Sequence, residues 1–260
     1  MQIEFLGTGG YHPNERRHTA CVMLPEIGVV FDAGSGFFRV PERLQTSELS
    51  VFLSHAHLDH IVGLTFPLVS MVKGQLQRLP VYGTSTTLAA VRQHLFADPL
   101  FPVQPNYEYI ELNGEVTLPD GGVLRHTPLK HPGGSNGFRV DWPEKSFAYI
   151  TDTTAGPDGV DADFIRGVDL LIHECNFADD MREWALKTGH SHLTPVLELA
   201  RDAEVDRDYR RALALLCRQF HDAFPAVRAL PIQDRLVYFT DTTGFAPVEQ
   251  IGVPPAHLQG

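Results

Sequence analysis

The stretch Ser54-His55-Ala56-His57-Leu58-Asp59-His60 constrains this chain more than any other part of it. Four side chains able to hold a metal, His55, His57, Asp59 and His60, fall within six residues. The run Leu49 to Leu53 ahead of them reads as a buried strand, and Ile61 to Leu64 behind them can begin a helix. The mouth of a strand, just before a helix, is where α/β proteins place their chemistry. Imidazoles crowded this closely repel one another once protonated, and a bound cation relieves that. A histidine-rich turn without metal is the plain alternative, and the crowding weighs against it.

Such a cluster needs a core to hold it, and 260 residues can bury a sizeable one, as one large domain or two small ones. The formal net charge of -11 disfavours nucleic acid and anionic lipid as partners unless basic residues are focused locally. Cys21, Cys175 and Cys217 are scattered and lack CxxC spacing. They are expected to be free thiols in a reducing, cytoplasmic compartment. Residues 1–20 hold no basic segment followed by an apolar run, so no signal peptide is expected. No stretch approaches ~18 uninterrupted apolar residues, so no transmembrane helix is expected either.

In chain order, Gln2 to Leu6 alternates and enters the turn Gly7-Thr8-Gly9-Gly10, which serves as a tight turn or a phosphate cradle. His12, Arg16, Arg17 and His18 follow on a polar loop. Thr19 to Leu24 and Gly28 to Phe31 read as a hairpin closed by Phe31-Asp32-Ala33-Gly34. Asp32 either caps the next segment or holds a ligand histidine from behind. Thr84 to Phe96 has helical periodicity, with Leu88, Val91 and Leu95 on one face and His94 off it. The proline-rich loop Asp98 to Asn106 reads as a lid to which Phe96, Phe101 and Tyr107 add apolar cover. Short strands are expected at Tyr109–Leu112, Val116–Leu118 and Val123–Thr127, with His126 structural. His131 follows the next strand end and opens a glycine loop. The hairpin Phe138–Val140 and Ser146–Ile150 ends in Thr151-Asp152-Thr153-Thr154. A buried strand, Asp169 to Ile172, runs into His173-Glu174-Cys175. Gly189-His190-Ser191-His192 precedes Thr194-Pro195, an N-cap and first-turn pair.

The glycine turn, the His55-x-His57-x-Asp59-His60 signature, the His131 loop, the Thr151-Asp152-Thr153 turn and the His173-Glu174 and His190-Ser191 pair together resemble the metallo-β-lactamase fold superfamily. Within it they resemble the phosphodiesterase branch that includes ribonuclease Z. The resemblance covers roughly residues 1–205. It implies an α/β (α+β) fold, a four-layer αββα sandwich with metals at the open edge between two sheets. It also implies one domain over 1–260, with 206–260 a divergent C-terminal part. Imidazoles and a bridging carboxylate suit two Zn2+ ions, with Mn2+ an alternative. By the resemblance His55, His57 and His131 hold one metal, Asp59 and His60 help hold the second, and Asp152 bridges them. A hydroxide between the metals would attack phosphorus. Glu174 and His190 would form the pair that assists proton delivery to the leaving oxygen, with an inter-loop hydrogen bond as the structural alternative. His173 and His192 are placed behind the ligands at most.

The chain departs from that pattern after residue 205. The family places there a buried strand ending in one more histidine, whereas Asp206 to Arg211 is polar and charged. Ala212 to Phe224 reads as a helix with Leu213, Leu216, Phe220 and Phe224 on one face. The last ligand is His221, His190, His192 or none. Tyr238 to Thr243 echoes Tyr149 to Thr154, so Asp241 is a second carboxylate at the rim or a mere likeness of turns. Only 20 residues separate His131 from Asp152, too few for the RNA-gripping arm of ribonuclease Z. The expected activity is therefore hydrolysis of a small or cyclic phosphodiester. A ribonuclease Z-like endoribonuclease and a metal-binding, non-catalytic homologue are the alternatives, and the resemblance leaves a homodimer open.

Overall fold

The computed structural model describes residues 2–15, 17–156 and 159–205, and beyond them the strands at 212–217, 229–232 and 235–239. The chain divides into two units, Met1–Asp120 and Gly121–Gly260.

In the first unit β1 (Glu4–Gly7), β2 (Cys21–Leu24) and β3 (Val29–Phe31) pair antiparallel. β4 (Ser50–Phe52), β5 (Pro80–Gly83) and β6 (Glu108–Glu111) continue the sheet in parallel, in the order β1-β2-β3-β4-β5-β6. Every residue of β2 and β3 is buried, as strands covered on both faces require. Phe31 lies opposite Phe52 in the β3–β4 register. The chain therefore leaves both strands at the same edge, with Asp32 beside the start of the histidine-rich stretch. α1 (Val40–Arg43), α2 (Leu58–Ile61), α3 (Leu68–Val72) and α4 (Ser85–Ala90) are short. The helix expected over Thr84 to Phe96 does begin at a Thr84 cap, whose hydroxyl accepts the Thr87 N–H. Its last turn, Val91–Leu95, is π-helical.

The apolar cover expected from Phe96 and Tyr107 is corrected. Both lie in the first unit's core, and the Tyr107 hydroxyl donates to the Leu64 carbonyl oxygen at 2.5 Å. A ring with an accessible carbonyl partner inside the core gains more from burial than from covering a loop. A two-residue strand, β7 (Val116–Thr117), ends the unit.

In the second unit β8 (Val123–Leu129), β9 (Ser135–Asp141) and β10 (Ser146–Ile150) form an antiparallel meander. β11 (Leu170–Cys175) then pairs parallel with β10. His173 and Glu174, expected past the strand end, are thus inside β11. α5 (Arg182–Thr188) and α6 (Leu193–Asp202) follow. Val196, Leu199 and Ala200 of α6 pack into a core with Ile165, Leu171 and Cys175. The cap of α6 is also corrected: His192 is the N-cap, and Thr194 gives its N–H and its hydroxyl to Asp179. Two oxygens of a carboxylate satisfy more first-turn donors than one threonine hydroxyl can.

The helix expected over Ala212 to Phe224 is a correction as well. Ala212–Cys217 is a strand, β12, pairing parallel with β11 from Leu170↔Ala212 to Cys175↔Cys217. A short apolar run satisfies either period, and the open parallel edge of β11 decides it. β13 (Ala229–Ile232) and β14 (Arg235–Phe239) complete the order β13-β14-β12-β11-β10-β9-β8. The expectations for Asp206 to Arg211, His221 and Asp241 fall outside the described residues. Among the described residues no helix is long and apolar enough to cross a membrane. Among the described residues Cys21 and Cys175 form no disulfide and are buried, and burial pushes the Cys21 thiol well above its usual range.

Candidate functional site

In the first unit the histidine-rich stretch leaves β4 and turns into α2. His57 is the N-cap, so Asp59 and His60 sit in the first turn of that helix rather than before it. His55 and His60 are buried and His57 is exposed. The His55 ring lies 4.3 Å from the His57 ring and 4.3 Å from the His60 ring, centroid to centroid. Behind them is Asp32, wholly buried, with its backbone in the left-handed region at φ 59. Aspartate tolerates that conformation better than most residues. Its carboxylate accepts the Ser54 N–H at 2.8 Å, the Ser54 hydroxyl at 2.8 Å and His60 Nδ1–H at 2.8 Å. The Ser54 hydroxyl is spent on Asp32, so its oxygen accepts from His55 Nδ1 at 3.0 Å.

The second unit repeats the device. His131 Nδ1 donates to the Gly189 carbonyl oxygen at 2.9 Å, and His190 Nδ1 donates to Glu174 at 3.1 Å. Four imidazoles therefore carry their proton on Nδ1, which leaves Nε2 as the nitrogen with a lone pair, the arrangement of metal-ligating histidines. Asp152, buried with φ 40, follows β10 and accepts from the Thr151 hydroxyl at 3.0 Å. Two non-glycine residues in strained backbone, both aspartates at strand mouths, are what functional sites accumulate.

Spacing tests whether this donor set fits a divalent cation. Zinc bonds of about 2.0–2.2 Å at tetrahedral angles put two ligand atoms roughly 3.3–3.6 Å apart. His60 Nε2 stands 3.5 Å from Asp59 Oδ2, and His131 Nε2 stands 3.6 Å from Asp152 Oδ2. Both separations are long for a hydrogen bond and right for two ligands of one ion. Asp59 Oδ2 also accepts the Tyr11 N–H at 2.7 Å, which fixes the carboxylate from the first loop.

Glu174, fully buried on β11, accepts four N–H groups. These are the backbone of Thr153, Asn176 and Ser191, and His190 Nδ1, each at 3.1 Å. The His190 ring lies 5.0 Å from that of His131. Ser191 ties the layer together, its hydroxyl donating to the Thr153 carbonyl oxygen and accepting the Ala155 N–H. His173 points elsewhere. It donates from Nδ1 to the Glu174 carbonyl oxygen, and burial lowers its pKa and keeps it neutral. His192 pairs with Asp179 at 2.6 Å and belongs to the α6 cap. His126 is lowered by burial beside Asn136, in keeping with a structural role. Ser54, Ser191 and Gly189 stand in the motifs read from sequence without a role of their own, and Tyr11 was missed. Ser54 and Ser191 each adjoin a site histidine, which is the one local signal available.

Gly34 sets how closely the Asp32 turn approaches α2. A Cβ there would stand 2.3 Å from the Asp59 carbonyl oxygen and 2.4 Å from Thr19 Oγ1. Gly34→Ala is expected to cost about 1–3 kcal/mol by overpacking. Urea unfolding measures that loss, and Gly74→Ala, with nothing within 4 Å of its Cβ but φ at +70, separates overpacking from backbone strain.

Residues 28–211 match the family model described as the beta-lactamase superfamily domain. Ribonuclease Z from Methanosarcina acetivorans is 29% identical over 262 residues, covering 79% of this chain and 85% of its own. Human tRNase Z, short form, has a TM-score of 0.70 at 21% identity, covering 95% of this chain and 98% of its own. A diphosphatase from the PhnP family has a TM-score of 0.66 at 16% identity, covering 95% and 97%. The chain belongs to the metallo-β-lactamase superfamily, and ribonuclease Z is among the relatives it is similar to.

Proposed function

We propose that this chain hydrolyses small or cyclic phosphodiesters, with His55, His57, Asp59, His60, His131 and Asp152 holding two divalent cations, zinc or manganese. The observation that carries it is the Glu174–His190 pair, a buried carboxylate that engages Nδ1 of an imidazole and so orients its ring. Cations held there would supply Lewis-acid charge and lower the pKa of water near neutrality. The chain's own residues do the rest. Asp32 and Ser54 fix the tautomers of His60 and His55, the Tyr11 N–H fixes Asp59, and Gly189 fixes His131. Glu174 holds the Nδ1–H of His190, so that Nε2 takes up a proton from solvent and passes it to the leaving oxygen, which departs as the alcohol. The acidic net charge of -11 and the short His131–Asp152 interval favour a small substrate. The diphosphatase from the PhnP family, a structural relative, is in keeping with that.

A second reading, endonucleolytic cleavage of RNA, is favoured by the names of the ribonuclease Z relatives. Turnover of bis(p-nitrophenyl) phosphate by zinc- or manganese-loaded protein is the expected result. Asp59→Ala should lower it by about a hundredfold or more. Elemental analysis should find two ions per chain. Activity on a β-lactam or thioester with none on any diester overturns the proposal, and cleavage of precursor tRNA alone transfers it to the second reading. One tightly held ion with no diester hydrolysis would instead indicate a non-catalytic metal-binding protein.

A further inference from the structure

We infer that Tyr11 is a stacking platform for the substrate, so the phosphodiester carries a planar aromatic group, a nucleobase or an aryl ester, on the side of the first loop. This rests on the phosphodiesterase reading and narrows its substrate class. Tyr11 is a tyrosine in the left-handed region, at φ 64, and its side chain is 86% exposed. Its loop is pinned from both sides. Gly9 N–H donates to the His18 carbonyl oxygen and Asn14 N–H to that of Arg17, each at 2.8 Å. At the tip the Tyr11 N–H reaches Asp59 Oδ2 at 2.7 Å.

That backbone contact needs only an N–H in a left-handed residue. Glycine or asparagine would provide it with less strain. The ring adds nothing to the core. Strain retained at an exposed aromatic beside a candidate ligand is the pattern from which a functional role is inferred. The ring centre of a tyrosine stands about 5 Å from its own nitrogen, so Tyr11's ring lies within about 8 Å of the Asp59 carboxylate. A phosphate handled at Asp59 thus leaves a base or aryl group of the same ester within reach of that ring. A rigid ring with two side-chain torsions loses little entropy on stacking, and stacking tolerates any flat partner.

The test compares two competitive inhibitors of bis(p-nitrophenyl) phosphate turnover that share a sugar and a phosphate. Adenosine 5′-monophosphate carries a base and ribose 5-phosphate does not. Wild type is expected to bind the nucleotide about tenfold more tightly. Tyr11→Asn, which keeps the N–H and suits the left-handed backbone, should bring the ratio near one, and Tyr11→Trp should preserve it. A wild-type ratio near one, or a ratio that survives Tyr11→Asn, overturns the inference about Tyr11 while diester turnover still supports the function. Absence of diester turnover in wild type, with no nucleotide binding by calorimetry, overturns both.

Discussion

Replacing Asp32 by alanine is expected to destabilise the protein by about 3–5 kcal/mol and to weaken metal binding 10- to 100-fold. The first effect follows from burial. Asp32 is 0% exposed and accepts from the Ser54 N–H, the Ser54 hydroxyl and His60 Nδ1. Alanine leaves those donors buried without an acceptor, at about 1–3 kcal/mol each before relaxation. Alanine also tolerates φ 59 poorly. The second effect follows from orientation. Without Asp32 the His60 Nδ1 proton loses its 2.8 Å acceptor and is left with the Ser54 hydroxyl oxygen at 3.4 Å, and a ring held that loosely presents Nε2 less well beside Asp59. Urea unfolding in chelator isolates the first effect, because apo protein has no metal to lose. Zinc titration against a competing dye measures the second. Asp32→Asn separates them further: it accepts φ > 0 and fills the same space, but sets an amide against one donor. It should recover part of the stability and little of the affinity. An alanine variant within about 1 kcal/mol of wild type in chelator would show that the buried network carries no stability.

Which parts of this site could be read in sequence depends on chain distance. His55, His57, Asp59 and His60 are contiguous, so their chemistry is visible as spacing alone. Asp32 supports them from 28 residues away, through the parallel β3–β4 register, and sequence left it between a helix cap and a histidine partner. Ser191 and Gly189 are likewise delivered by tertiary packing, against Thr153 and His131. The fold shows the same division. The hairpins around Gly28 and Trp142 are local and were legible from alternation and turn residues. The strand at Ala212–Cys217 was not, because its partner β11 rather than its own period makes it a strand. Phe96 and Tyr107 misled for a related reason. Aromatic residues flanking a proline-rich loop fit a lid or a core equally well until the Leu64 carbonyl oxygen is known to meet the Tyr107 hydroxyl. Glu174 stood out only as one half of a family pattern. Its four donors come from three separate segments, and no spacing rule joins them.

Glu174→Ala should cost more than any change at His190, and the difference divides structure from catalysis. The buried carboxylate holds backbone N–H groups of Thr153, Asn176 and Ser191. Its removal is expected to destabilise the protein by about 3–5 kcal/mol. It should also lower kcat about 10²- to 10³-fold through His190, within the usual range for a general acid. His190→Ala removes the acid without touching those backbone donors, so it should show a similar loss of kcat with a stability change of about 1 kcal/mol or less. The double variant should be no slower than Glu174→Ala alone, since the two act as one unit. Leaving-group dependence makes the assignment chemical. Nitrophenolate departs readily without a proton, whereas phenolate needs one more, so the deficit of both variants should be larger on a diphenyl ester than on its bis(p-nitrophenyl) counterpart. Equal deficits on the two substrates would make Glu174–His190 a structural tie between β11 and the segment before α6, and proton delivery would have to come from elsewhere.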